Sequence, residues 1–193
     1  MPHRLFIGIR PPEPVCEALL DTMEALDGAR WIDADNLHLT LRFVGEVERP
    51  VANDLAEALG RIESPRFALR VDGTGAFDRS RRHQSYAHAV WARVPLTEPL
   101  EGLRQKVERA CDNAGLGRET RRFTPHITLA RTDRATEPVA GWLAAWGGLA
   151  AGPWTVEEFI LFESRLGHTG AHYEEVARYA LHAAGPPPAC GRG

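Results

Sequence analysis

Between Asn36 and Phe43 the chain reads NLHLTLRF, with Leu37, Leu39, Leu41 and Phe43 alternating against His38, Thr40 and Arg42. A period of two belongs to a strand with one apolar and one polar face. The alternation therefore predicts a half-buried strand whose polar face carries His38, Thr40 and Arg42. Upstream, Leu5 to Ile9 form a short apolar run ended by Pro11 and Pro12, and apolar positions recur at helical spacing from Pro14 to Leu26. A strand followed by a helix is expected there. After a turn at Gly45, Val51 to Ile62 has helical spacing with Pro50 near its start, and Phe67 to Phe77 reads as a strand interrupted by Gly73 and Gly75. The first half is thus β-α-β-α-β.

The second half repeats that order: a strand near Tyr86 to Val94, a helix near Leu100 to Ala114, the segment TPHITLAR, a helix near Val139 to Leu149 and a strand near Thr155 to Phe162. A last strand, Tyr173 to Leu181, would close one sheet. LHLTL and PHITL align 88 positions apart, each on the middle strand of its half, which is the signature of an internal repeat. The expected fold class is α+β: duplicated β-α-β-α-β units in two lobes, with two antiparallel-rich sheets facing a central cleft and helices on the outer faces. One domain over residues 1–182 follows, with lobes near 1–80 and 81–182 that can exchange strands. Residues 183–193, rich in Gly and Pro and without apolar periodicity, are expected to form a disordered tail.

Composition narrows the function. With 193 residues, 44% hydrophobic and 25% charged, the chain has the profile of a compact globule. No apolar run approaches the roughly 20 residues that span a bilayer, and the N-terminus lacks a secretory pattern, so no membrane association and a cytoplasmic location are expected. Cys16, Cys111 and Cys190 are too few and too far apart for a disulfide framework or a zinc spacing. A net charge of −3 argues against a broad basic surface for long duplexes, while leaving room for a small basic site. Of the 23 basic residues only Lys106 is lysine, which is weak support for phosphate binding. Neither HExxH nor a glycine-rich nucleotide loop is present, so no metal, no cofactor and no nucleotide-driven step is expected. No interface pattern stands out, so a monomer without a protein partner is the default.

A cleft holding two histidines and two hydroxyls suits in-line attack on a phosphodiester. Imidazole has an ordinary pKa near 6.5, so one ring can accept a proton while the other donates one. Thr40 and Thr128, two residues beyond His38 and His126, can donate hydrogen bonds to non-bridging phosphate oxygens. Arg131 adds a cation with a fork of donors. Five positions beyond His126, it sits on the wrong face by strict alternation and reaches the cleft only if the strand ends, twists or bulges. Arg42 has cleft-facing parity.

The motifs His38-Leu39-Thr40-Leu41 and His126-Ile127-Thr128-Leu129, with RLFIGIRPP, NLHLTLRFVGEV, FTPHITLAR and FILFESRLGHTGAHYEEVARYAL, resemble the two-histidine (2H) phosphoesterases. Within them the chain is similar to the bacterial RNA 2′,3′-cyclic phosphodiesterases, also called 2′-5′ RNA ligases. The resemblance spans roughly Arg4 to Leu181. It implies metal-independent hydrolysis of terminal 2′,3′-cyclic phosphates to 2′-phosphomonoesters, with His38 as proton donor, His126 as proton acceptor, and RNA ends or small cyclic nucleotides as substrates. Ligation would be the same ester chemistry run backwards, without ATP. Two alternatives stay open: a non-catalytic module binding nucleotides or 2′-5′ RNA ends, and a 2H enzyme acting on another cyclic phosphate.

The remaining candidates have more ordinary readings. His3, His83, His88, His168, His172 and His182 lack a partner pattern and are expected at the surface or in the core. Trp142 and Trp146, four apart on one helix face, are expected to pack. Phe6, Phe43 and Phe123 flank the cleft strands and are read as core, with base stacking as the competing role. Arg118, Arg121 and Arg122 form either a basic rim or a solvated loop.

Overall fold

The computed structural model describes residues 2–81, 84–133, 136, 138–167 and 170–183. His83, His168, Cys190 and residues 184–193 of the expected tail lie outside the described residues. The elements in order are β1 (His3–Ile9), α1 (Glu13–Leu20), β2 (Arg30–Trp31), β3 (Leu39–Val47), α2 (Arg49–Gly60), β4 (Phe67–Asp72), β5 (Thr74–Arg81), β6 (Gln84–Arg93), α3 (Glu98–Asn113), β7 (His126–Arg131), α4 (Ala140–Trp146), β8 (Ala150–Val156), β9 (Glu158–Gly167) and β10 (Gly170–Ala180).

Helix α3 shows why these segments form where they do. Pro99 lies in its first turn, where a missing N–H costs nothing, and Glu98 and Glu101 meet the positive end of the helix dipole. Its buried residues Leu100, Leu103, Val107, Ala110 and Cys111 recur every three or four positions and form one stripe. That stripe joins Val15 and Leu19 of α1, Leu55 and Leu59 of α2 and Trp142 of α4 in a single core with Leu39, Leu41, Ile127 and Leu129 of the central strands. Leu39 and Ile127 are both 0% exposed, and burying each such side chain stabilises by roughly 1.5–3 kcal/mol. The opposite face of these strands is left for the cleft.

The α+β class and antiparallel pairing agree with the sequence pattern. The main sheet runs β10-β9-β1-β3-β7-β6-β5, with β2 added against β7 as an eighth strand. The halves trade strands across it: β9 from the second half pairs with β1, and β5 from the first half pairs with β6. Where two facing sheets were expected, the lobes are joined through a bridge between Leu39 and Ile127, the residues that follow the two motif histidines. The two motif strands β3 and β7 therefore meet antiparallel to one another. Continued by one residue either way, that register sets His38 level with Thr128 and Thr40 level with His126.

Two segments read as single strands are each split between sheets. Phe67–Phe77 breaks at Gly73, whose φ of 93° lets β4 leave for a two-stranded sheet with β8 while β5 enters the main sheet. The later segment breaks likewise at Glu157, between β8 and β9. Gly73 marks the first break in the sequence and the Glu157–Glu158 pair stands at the second, but neither says which sheet each half joins. Helix α1 is also shorter than its apolar spacing suggests, ending at Leu20. No described helix is long and apolar enough to cross a membrane.

Candidate active site

Each motif departs from the ideal strand at the same place. On β3, Ile7 pairs with Arg42 and Gly8 with Thr40, so Leu41 is an extra residue. On β7, Val90 pairs with Ala130 and Trp91 with Thr128, so Leu129 is extra. An extra residue reverses the facing of everything beyond it. Arg131 is thereby returned to the face of His126 and Thr128, which meets the condition that the sequence set for it. Arg42 is turned away, correcting the expectation that it shares a face with His38 and Thr40. It runs instead to the helix side, where Nε lies 3.6 Å from Glu108 and Nη1 lies 3.4 Å from Glu119, and Nη2 donates to the Gly117 carbonyl.

His38, Thr40, His126, Thr128 and Arg131 all line one cavity of about 320 Å³. Both imidazoles are held in the same way. His38 Nδ1 lies 2.7 Å from the Asn36 carbonyl oxygen, and His126 Nδ1 lies 2.6 Å from that of Thr124. A carbonyl only accepts, so each Nδ1 carries the proton and Nε2 is left as the nitrogen free to exchange one. In both copies the orienting carbonyl stands two residues before the histidine.

Aromatic rings fix the imidazoles from behind. Phe6 packs on His38 at 4.7 Å between ring centroids, and Tyr173 meets it edge-on at 5.2 Å. Phe77 lies edge-on to His126 at 4.7 Å, with Trp91 at 5.8 Å. Gly75 pairs directly with Trp91, and a Cβ there would stand 2.3 Å from the indole. Gly75→Ala is therefore expected to displace Trp91 and unsettle His126, costing about 1–3 kcal/mol of stability, as overpacking typically does. Urea denaturation should register that cost, and kcat should fall more than KM rises; a variant with unchanged stability and kcat would show that the indole does not brace the site.

Burial is the main reason that the His38 pKa falls to about 4; the Asn36 carbonyl opposes the shift, and the positive charges of Arg10, His126 and Arg131 add to it. The His126 pKa is also lowered, chiefly by burial, against the Thr124 carbonyl and with help from Arg131. In the empty cleft near neutral pH both rings are therefore neutral. A bound anion reverses the balance, since a negative charge beside an imidazole favours its protonated form.

The other candidates fall into place around this centre. Phe6 is 3% exposed and belongs to a small core with Ile160 and Phe162. Phe43 is not core: it is 42% exposed, it stands at the position equivalent to Arg131, and the Arg4 guanidinium lies 5.5 Å from its ring. Phe123 is half-buried with Arg104 at 5.2 Å over its ring. His3 pairs with Glu163 at 2.9 Å, while His172 and His182 are exposed. His88 is an extra residue on β6 relative to β5, and it lines an adjoining cavity instead of lying anonymously in a strand. Trp142 is buried and donates Nε1–H to the Thr22 carbonyl, and Trp146 packs on the same core. Cys16 and Cys111 are free thiols. Arg118 pairs with Asp112, whereas Arg121 and Arg122 join the wall of the adjoining cavity.

Arg4, Ser164 and Tyr173 also line the histidine cavity and were not singled out by the sequence. They come from β1, β9 and β10, and only the pairing of those strands brings them near β3. Among the described residues no group of three or more His, Cys, Asp or Glu side chains is placed to hold a metal ion.

A sequence model of the 2′-5′ RNA ligase superfamily matches residues 11–168. The chain belongs to that superfamily. Among its superfamily relatives, the RNA 2′,3′-cyclic phosphodiesterase of Escherichia coli (strain K12) is 33% identical over 188 residues, covering 93% of this chain and 97% of the relative. The RNA 2′,3′-cyclic phosphodiesterase of Aeropyrum pernix is 34% identical over 148 residues, covering 75% of this chain and 82% of that protein. The crystal structure of E. coli LigT complexed with 3′-AMP superposes with a TM-score of 0.74 at 29% identity, covering 94% of this chain and 99% of LigT.

Proposed function

We propose that this protein is an RNA 2′,3′-cyclic phosphodiesterase that opens a terminal 2′,3′-cyclic phosphate to a 2′-phosphomonoester, with His38 and His126 as an acid–base pair. The observation that carries the reading is the matched pair of imidazoles, each with Nδ1 committed to a carbonyl two residues upstream and each lining one cavity with Thr40, Thr128 and Arg131. The names of relatives that cover nearly the whole chain point to the same substrate class.

In this mechanism the cyclic phosphate sits between the two Nε2 atoms. His126 takes a proton from water as its oxygen attacks phosphorus, and His38 gives a proton to O3′ as the P–O3′ bond breaks. The threonine hydroxyls and the Arg131 guanidinium hydrogen-bond the non-bridging oxygens, where charge grows in the transition state. The empty-site pKa of His38 suits a donor only after substrate binds, because the phosphate anion is what raises it. Phe43 and Arg4, at the mouth, offer a ring and a guanidinium plane on which the terminal base can stack.

The test is incubation with a 2′,3′-cyclic mononucleotide in EDTA and identification of the phosphomonoester isomer. Exclusive 2′-phosphate at undiminished rate is expected. Tight binding of nucleotides with no turnover of any cyclic phosphate would point to a binding module, and a 3′-phosphate product would reverse the assignment of the leaving oxygen.

A further inference from the structure

The two motif imidazoles are oriented alike, each by the carbonyl two residues upstream, yet the segments that supply those carbonyls are anchored differently. Ile9 pairs with Leu39 and Ala92 with Ile127, so one step further along Arg10 stands level with His38 as Arg93 does with His126. Arg93 leaves the site: its Nε donates to the Asp72 carbonyl at 2.7 Å, at the end of β4. Arg10 stays beside it. Its Nε and Nη2 both meet Glu175 Oε1 at 3.1 Å, and its Nη1 donates to the Asp35 carbonyl. The guanidinium carbon lies 5.6 Å from the centre of the Phe162 ring.

Each of these three contacts reaches one wall around His38. Asp35 precedes Asn36, whose carbonyl oxygen takes the Nδ1 proton of the ring. Inside that turn the Asn36 N–H donates to Asp33 at 2.8 Å and the Leu37 N–H to Ala34 at 3.2 Å, so the turn is bonded within itself and Arg10 ties it to the sheet. Phe162 stacks on Phe6 at 4.8 Å, and Phe6 packs on His38. Glu175 lies two residues beyond Tyr173 on the same face of β10, and Tyr173 meets His38 edge-on. A guanidinium can hold both partners at once because its donors lie in one plane and point in different directions, whereas an ammonium is a point charge. Charged and titratable groups surround the ring: Arg4 on β1, His126 and Arg131 on β7, Tyr173 on β10, and Arg10 with Glu175. Arg10 itself does not line the cavity, so whatever it does there passes through the imidazole.

We propose that Arg10 is a positioning residue for His38, clamping the Ala34–Asn36 turn to β10 so that Nε2 stays aimed into the cleft. The kinetic consequences rest on the proposed function. A small misplacement of a reacting group can cost about 10²-fold in rate. The clamp serves one histidine and not its twin.

The experiment measures kcat and KM for Arg10→Ala and Arg10→Lys on a 2′,3′-cyclic nucleotide and on an ester that releases p-nitrophenolate. It also combines Arg10→Ala with each histidine variant. Arg10→Ala should lower kcat on the cyclic nucleotide about ten- to 10²-fold and change KM far less. That deficit should shrink on the activated ester in step with the deficit of His38→Ala. Arg10→Lys, with a charge but no fork, should recover only part of kcat. His38→Ala should mask Arg10→Ala, leaving the double variant no slower than His38→Ala, whereas the losses should multiply with His126→Ala. Nitrogen-15 NMR of the imidazoles reads the clamp without turnover. In Arg10→Ala the His38 signal should depart from the Nδ1–H form and its titration midpoint should rise from about 4, while His126 keeps its tautomer. A deficit that follows His126→Ala across the two substrates, losses that multiply with His38→Ala, or an unchanged His38 spectrum would overturn the inference. If no cyclic phosphate is turned over, the proposed function falls and the ring spectrum alone decides the role of Arg10.

Discussion

His38→Ala and His126→Ala are each expected to lower kcat on a 2′,3′-cyclic nucleotide by about 10² to 10⁴-fold, the usual loss when a positioned acid or base is removed. Both rings are confined by neighbours that outlast the substitution, Phe6 and Tyr173 around one and Phe77 and Trp91 around the other. No nearby side chain is expected to swing in and take over the proton transfer. The roles can be told apart by the leaving group. With a phosphodiester that releases p-nitrophenolate, departure needs no proton, so the His38→Ala deficit should shrink to about tenfold or less while that of His126→Ala persists. Steady-state kinetics on both substrates decide the matter, alongside circular dichroism to show that the variants are folded. Full activity in either alanine variant on the cyclic nucleotide would end the two-histidine mechanism. A deficit for His126→Ala that shrinks instead would exchange the roles.

The pH dependence should carry an equally large signal. The kcat/KM profile reports the free enzyme, in which the His38 pKa lies at about 4 and that of His126 also lies below the ordinary value near 6.5. The productive state has one imidazole protonated and the other neutral, so kcat/KM should trace a bell with both limbs below about pH 6.5 and fall about tenfold per unit above it. The kcat profile reports the complex, where the phosphate anion raises both groups, and should be displaced to higher pH. A matching effect on stability has a definite sign. Because the folded pKa of His38 is depressed, its neutral form costs nothing above the unfolded value near 6.5. Below that pH the unfolded chain gains a proton that the folded chain refuses, and stability is lost as pH falls toward about 4, by up to about 3 kcal/mol. Chemical denaturation at a series of pH values should show this slope, reduced in His38→Ala. A kcat/KM optimum near pH 8 would mean that burial does not control these rings.

Strict alternation in LHLTL and PHITL was enough to set each histidine two residues from its threonine on a polar strand face, because side-chain facing in a strand is a local property of the backbone. Duplication of the pattern implied that both faces meet. The Leu39–Ile127 bridge shows how: the motifs lie antiparallel within a single sheet. Alternation fails where one residue breaks the period: the extra residue Leu41 turns Arg42 away from the cleft face that it was expected to share, and the extra residue Leu129 supplies the bulge on which the expected place of Arg131 in the cleft depended. The bulges need no special residue type; an apolar residue at Leu41 or Leu129 reads in the sequence like any other core position.

The sequence by itself determined the α+β class, the repeated motif and the His–Thr pairs that share a strand face, since these depend on neighbours within a few positions. Only the tertiary structure decided that Tyr173, Ser164 and Arg4 reach the His38 pocket, that Arg42 serves the helix side, and that burial holds both imidazoles neutral in the empty cleft. Those outcomes rest on strand pairing across more than a hundred residues and on the exclusion of water by the assembled sheet. Both arise from the sum of many long-range contacts, none of which any single stretch of the chain records.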